Sequence, residues 1–269
     1  MRRTTLAVSA LAAVAALSLS ACGSGSSPAS SSSGSAGASS GAAAVTLKNA
    51  GKLTVCSDIP YKPFEYEEGG KYVGFDMDIA AAVATKVGAE LSVIKDSFDS
   101  IQSGLFKTKC DIAISGISIT EKRKGNMDFS TPYLDDDLVL VAKKGSGITD
   151  LASAKDKKVG VQSSTTGSDY AKEQGIVATG FDTGEMQVQS LIAGTTDASL
   201  GNQSILRYGI KDHADLEVVQ EIKTGEQLGV AVQKGDAAML AAVNGTLADL
   251  ESSGKMTEIK TKWFGEGAK

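Results

Sequence analysis

The chain has 269 residues, 42% of them hydrophobic and 22% charged, with a formal net charge of -5 and one histidine. That length and apolar share permit one large or two modest cores, and the acidic balance makes a poor partner for nucleic acid. Three cysteines without CxxC or Cys/His spacing give no support for a metal site, and the lone His213, in the polar segment KDHADLE, gives little for a hydrolytic triad.

At the N-terminus, Arg2 and Arg3 precede an apolar stretch from Leu6 to Leu19 and then small residues, the pattern of a secretory signal over residues 1–21. The stretch is too short and too Ala-rich for a membrane span. Leu19, Ser20, Ala21 and Cys22 resemble the bacterial lipobox, which implies cleavage before Cys22 and diacylation of its thiol. Loss of Arg2 and Arg3 takes the formal charge from -5 to -7. Beyond Cys22, residues 23–44 are almost all Ser, Gly and Ala, with too little apolar surface to order themselves. Residues 22–44 therefore read as a lipidated tether with a root-mean-square reach of roughly 25 Å, and two acyl chains would make the anchoring stable.

From residue 45 onward strands and helices alternate. KLTVCSD predicts a strand; FDMDIAAAVATKV predicts a helix with Ile79, Val83 and Val87 on one face, ending at Gly88. LSVI is a second strand. FDSIQSGL predicts a helix whose buried stripe is Phe98, Ile101 and Leu105, and DIAIS the next strand. After LVLVAKKGSG a second series begins: the strand KKVGVQ, a Ser/Thr-rich turn, a helix over 167–174, a helix around MQVQSLIAG and a strand at DASLG. Alternation of this kind predicts α/β lobes with parallel sheets, and the echo between IQSGLFKTKCDIAIS and VQSLIAGTTDASLGN suggests two of them.

Cys56 and Cys110 both lie beside strand-like runs, in a compartment that permits disulfides. If those strands are parallel neighbours, the two cysteines fall towards opposite strand ends, which strains a bond needing Cα atoms within roughly 7 Å. The sequence leaves the bridge open.

In open α/β sheets ligands sit beyond the C-terminal ends of the strands. The residues there are Asp58 and Tyr61, Phe98, the run from Ser115 to Arg123, the turn from Ser163 to Ser168, and Gly201 to Gln203. Hydroxyls, glycines, two aromatics and one arginine suit a small zwitterion, whose carboxylate a guanidinium grips while ring faces cover its stem. A blander reading exists for Arg123: Ser118 and Glu121 form an S-x-x-E capping box that explains a helix start without any ligand.

The segments PYKPFEYEEGGKYVGFDMDIA, AISGISITEKRKGNMDFSTPY and KKVGVQSSTTGSDYAKE, with the C-terminal WFG, together resemble the extracytoplasmic amino-acid-binding proteins of ABC importers, solute-binding protein family 3, over residues 50–266. The resemblance implies a two-lobed type II periplasmic-binding-protein fold, a Venus-flytrap with lobe 1 formed by residues 45–140 plus 229–269 and lobe 2 by residues 141–228. It places the crossings near Leu138–Ala142 and Gly229–Val232. Hinge closure over the ligand makes the form that a membrane permease recognises. The same resemblance implies a monomer on the outer face of the cell membrane, with no cofactor, no metal and no catalytic residue.

Carried over by position, Arg123 pairs with the ligand α-carboxylate, supported by Ser118, Thr165 and Thr166, while Ser115 and Gly116 line the cleft. Tyr61 stacks on the ligand, Phe98 forms a second wall, and Asp58 and Gln162 reach towards the ligand side chain, which suggests glutamine or glutamate. At Asn202 this sequence departs from the family, which usually has an aspartate there for the ligand ammonium. An amide supplies no charge, so affinity falls about tenfold unless Asp58 or one of Asp135, Asp136 and Asp137 compensates, although that acidic run reads as a solvated loop. Two other functions stay open: a dehydratase of cyclic acids, known among relatives of this fold and needing an acid or base in the cleft, and a tethered ligand sensor.

Overall fold

The computed structural model describes residues 44–265; the signal stretch, Cys22 and the tether up to residue 43 lie outside the described residues. Two five-stranded sheets organise them. In the first, the order is Glu90–Lys95, Lys52–Ser57, Ile112–Ala113, Ala231–Gln233, Met127–Phe129. Lys52–Ser57 runs parallel to its two neighbours, and Ala231–Gln233 enters antiparallel to both of its own. The second sheet runs Thr179–Phe181, Val159–Gln162, Ala198–Asn202, Leu138–Lys143, Leu216–Ile222, parallel across the first three and antiparallel on both sides of Leu138–Lys143. This is the two-lobed α/β architecture that the sequence predicts, but both sheets are mixed where parallel ones were expected, because Ala231–Gln233 and Leu138–Lys143 return from the crossings antiparallel to their neighbours.

Local patterning explains most of the elements. The helix Phe75–Lys86 buries Phe75, Met77, Ile79, Ala80 and Val83 and joins two parallel neighbours, as a strand–helix–strand unit must. The expected stripe of Phe98, Ile101 and Leu105 is shorter than predicted. The helix Phe98–Gln102 buries its first two members, but Leu105 opens a separate 3-10 turn and is 56% exposed. In that tighter turn the repeat falls from 3.6 to 3.0 residues, so Phe106 takes the buried place instead.

The chain crosses between the sheets at Leu134–Asp135 and Gln227–Leu228, which pair antiparallel. These crossings lie upstream of those expected, because Leu138–Ala142 and Val230–Val232 are fully buried apolar segments whose strands belong to the two sheets. Of the acidic run, Asp135 is exposed as a solvated acid would be, whereas Asp136 and Asp137 are drawn into the fold. The Asp136 carboxylate is buried, accepting from the backbone N–H and the hydroxyl of Ser204 at 3.0 and 2.6 Å. Asp137 Oδ1 accepts from the Gly225 and Thr224 N–H groups at 2.8 and 3.0 Å. The acidic run thus ties one crossing to the other. Desolvation pushes the Asp136 pKa up to about 7, against the two Ser204 hydrogen bonds.

Cys56 and Cys110 form a disulfide with Cα atoms 5.7 Å apart. The strain expected from opposite strand ends does not arise, because Cys110 precedes its strand and the turn Leu105–Thr108 folds it back, with its N–H on Phe106 O at 2.8 Å. The bridge packs with Phe98, Ile101 and Phe106. Among the described residues no helix is long and apolar enough to cross a membrane, and no group of His, Cys, Asp or Glu is arranged to hold a metal ion.

Candidate ligand-binding site

The C-terminal ends of the parallel strands supply the site from both lobes. Asp58 follows Lys52–Ser57, the run from Ser115 to Ser118 follows Ile112–Ala113, and Gln162 and Asn202 end their strands in the second sheet. The lobes meet over these ends. Gln162 Nε2 donates to Asp58 Oδ2 at 2.8 Å, Arg123 Nη2 donates to Ser164 O at 3.3 Å, and Ser164 Oγ donates to Asp99 Oδ1 at 2.8 Å. The ring of Tyr61, stacked on Phe64, lies against Gly184 of the opposite lobe.

Arg123 is a buried cation, 4% exposed, on the short helix Glu121–Lys124. Thr120 caps that helix by accepting from Arg123 N at 3.2 Å, so the Ser118–Glu121 capping box does not form. Arg123 Nη1 donates to Ser118 O at 2.9 Å, and the guanidinium carbon lies 5.1 Å over the Phe98 ring. Phe98 is therefore both core and wall, since the ring that packs on Ile101 also carries the cation. Burial draws the Arg123 pKa down, and the charges of Glu226 and Asp169 draw it back up. Among the described residues it enters no ion pair with a carboxylate.

Beneath the cleft lies a cluster of buried acids, two of them unanticipated. Desolvation raises the Asp58 pKa to about 6, opposed by the Gln162 hydrogen bond and by Lys95. Ser115 Oγ accepts the Asp58 N–H at 3.0 Å and donates to Glu65 Oε1, while Glu65 Oε2 has no partner among the described residues. Asp76 Oδ2 accepts from Gly116 N at 2.7 Å and from Tyr133 Oη at 3.2 Å, and its Oδ1 has no partner. Burial pushes Asp76 up to about 7 and Glu65 well above the usual carboxylate range. Neither acid stands out in FEYEE or FDMD, where no periodicity or motif marks it.

Several expected cleft residues act from behind it. The Ser115 hydroxyl and the Gly116 N–H are both committed to buried acids. Gly116 has φ +53°, and a Cβ there would fall 3.0 Å from Tyr61 Cε1, so glycine is what lets the aromatic ring lie down. Thr165 is the N-cap of the helix Thr166–Glu173: its hydroxyl donates to Gln162 O at 2.7 Å and accepts from Ser168 N at 3.2 Å. It offers no free donor to a ligand.

The remaining expected residues converge on one that the sequence does not single out. Glu226 Oε2 accepts from Ser118 Oγ at 2.8 Å, Thr166 Oγ1 at 2.7 Å and Asn202 Nδ2 at 3.2 Å. Thr166 and Asn202 are neighbours because the helix Thr166–Glu173 rides on the strand Ala198–Asn202, a Cβ at Gly167 falling only 3.0 Å from Gly201 Cα. Glu226 precedes the second crossing in KTGEQLG, where no periodicity or motif marks it. Ser164, with φ 64°, is a further residue to which sequence reading gave no role of its own.

A closed two-lobed cleft with a buried arginine on a short helix, flanked by hydroxyls and an acid cluster, is suited to holding a small polar molecule. Comparison with known proteins agrees. Residues 53–266 match the model of the bacterial extracellular solute-binding proteins, family 3. The arginine-binding extracellular protein ArtP of Bacillus subtilis (strain 168) is 32% identical over 79% of this chain and 86% of its own. The L-cystine-binding protein TcyJ of Escherichia coli (strain K12) is 31% identical over 81% and 85%. Among solved structures, an ancestral arginine-binding protein bound to arginine superposes with a TM-score of 0.74 at 35% identity, covering 80% of this chain and 99% of that one. An ancestral arginine-binding protein bound to glutamine gives a TM-score of 0.75 at 35% identity, covering 80% of this chain and 99% of that one. The chain belongs to the bacterial extracellular solute-binding proteins, family 3.

Proposed function

We propose that this chain is the amino-acid receptor of an ABC importer and that its solute is arginine or a similar basic amino acid, delivered to a membrane permease by hinge closure. The observation that carries the reading is Arg123: buried, stacked on Phe98, unpaired with any carboxylate among the described residues, and standing where both lobes meet. A buried cation of this kind is complementary to a ligand carboxylate. Asp58 directs the choice of side chain. Its carboxylate is buried at the same interface, and a guanidinium or ammonium beside it would compensate the desolvation that raises its pKa. The names of the arginine-binding relatives support that choice over the glutamine or glutamate suggested by the sequence.

Glutamine remains a second reading, favoured by one observation: the Gln162 amide already rests on Asp58, so the same carboxylate accepts from a carboxamide donor. No such feature favours glutamate, whose side chain would set a second negative charge against Asp58. Transport, not catalysis, is the role of the family, and His213 lies outside the cleft residues described above. In this reading Cys22 carries the lipid anchor, with residues 23–44 as tether, and the receptor works as a monomer outside the cell membrane.

Calorimetry against a panel of common amino acids tests the assignment. Arginine should bind, and Arg123→Ala should weaken it by about 2 kcal/mol or more, because the ligand carboxylate is left buried without its partner. Unchanged affinity in that variant overturns the role of Arg123, and a wild-type protein that binds no amino acid overturns the receptor.

A further inference from the structure

We propose that Glu226 supplies the negative charge that holds the ligand α-ammonium group, in place of the charge that Asn202 lacks. The inference rests on the amino-acid reading above. Asn202 uses both amide hydrogens within the protein, one on Asp136 O at 2.8 Å and one on Glu226 Oε2 at 3.2 Å. Its Oδ1 is left as a neutral acceptor, and Glu226 is the carboxylate to which its Nδ2 donates. The acidic run that was the alternative source of charge is turned elsewhere, since the Asp136 carboxylate is held by Ser204. Asp58, the other candidate, is bonded to Gln162.

The position also distinguishes an ammonium acceptor from an internal plug that imitates the ligand carboxylate. A plug would pair with Arg123. Glu226 does not: the Arg123 guanidinium donates to the carbonyls of Ser118 and Ser164, and no ion pair joins it to Glu226. Glu226 instead gathers Ser118 from one lobe and Thr166 and Asn202 from the other, one step away from the cation. A zwitterion laid with its carboxylate on Arg123 then has its ammonium within reach of Glu226, and the two charges of the ligand meet two of opposite sign.

The test titrates the full chain with L-arginine and with 5-guanidinopentanoate, which is arginine without its α-amino group; should the panel select glutamine, glutamine and its des-amino acid replace them. Glu226→Gln, an isosteric change at a half-exposed position, should weaken L-arginine about tenfold or more, the difference between a charge-assisted and a neutral hydrogen bond. The des-amino ligand should change by less than about threefold. Asn202→Asp in the Glu226→Gln background should restore most of the L-arginine affinity by returning the charge from the second lobe. Equal loss for both ligands means that Glu226 only ties the lobes, and a gain for both means that it is a plug; either result overturns the proposal, as does no change. If the wild-type protein binds no amino acid, the receptor reading falls and this proposal with it, whereas the other outcomes reject Glu226 alone.

Discussion

Asp58 carries a pH dependence that follows from its burial. Its pKa stands at about 6, so a cationic ligand side chain beside it binds the ionised form and loses its partner when the carboxyl is protonated. The sign is fixed: affinity is full above the pKa and falls as the pH drops through it. Arginine affinity should therefore fall about tenfold between pH 7 and pH 5, the loss of ionised Asp58 across that interval, and calorimetry at the two pH values measures it. Asp76 and Asp136, each at about 7, titrate in the same range, so Asp58→Asn is the control: it should lower the affinity at pH 7 and flatten the profile. A wild-type profile that is already flat places the ligand side chain elsewhere. Asp58 and Arg123 were legible in the sequence because strand ends and helix starts mark them. Glu65, Asp76 and Glu226 were not, because a buried acid and a solvated one look alike in a string until the fold decides what covers them.

Among the elements, the short strand Ile112–Ala113 and the turn before it show where sequence patterning stops. The strands and helices themselves were readable from alternating apolar runs, and Phe75–Lys86 and Gly184–Ile192 fall close to where their periodicity puts them. The turn at Leu105–Thr108 was not, since a change from 3.6 to 3.0 residues per turn leaves no signature in four residues. That turn decides the disulfide, by moving Cys110 back over Cys56. A bridge with a sequence separation of 54 closes a long loop in the unfolded chain. Replacing both cysteines with alanine should cost about 2–4 kcal/mol of stability on the chain-entropy account. Urea unfolding of the oxidised protein and the double variant reads this directly, as a lower midpoint, with a steeper slope because the unfolded chain is no longer cross-linked. Equal midpoints would mean that the packing of Phe98, Ile101 and Phe106 holds this corner without the bond.

At the scale of the molecule, two lobes joined, among the described residues, by a pair of crossings are held shut by contacts across the cleft, and each one biases the opening equilibrium. Ser164 links two of them: its carbonyl accepts from Arg123 and its hydroxyl donates to Asp99 on the facing lobe. The backbone pays for this with a left-handed conformation at a residue that has a Cβ, φ 64°, a strain sustained only when the surroundings fix it. Asp99 is exposed and touches neither Arg123 nor Asp58 through the hydrogen bonds of the cleft. Its replacement by alanine therefore leaves the ligand's own partners in place and removes one bond of closure, worth about 1 kcal/mol. That shifts the balance about fivefold towards the open form, and apparent affinity falls by no more than the same factor, since only the closed fraction changes. Small-angle scattering separates this from a direct effect on the ligand. Without amino acid, Asp99→Ala should have a larger radius of gyration than the wild type; with saturating arginine the two should coincide, because ligand binding restores closure. If the radii agree in both conditions while affinity still drops, Asp99 acts on the ligand and not on the hinge.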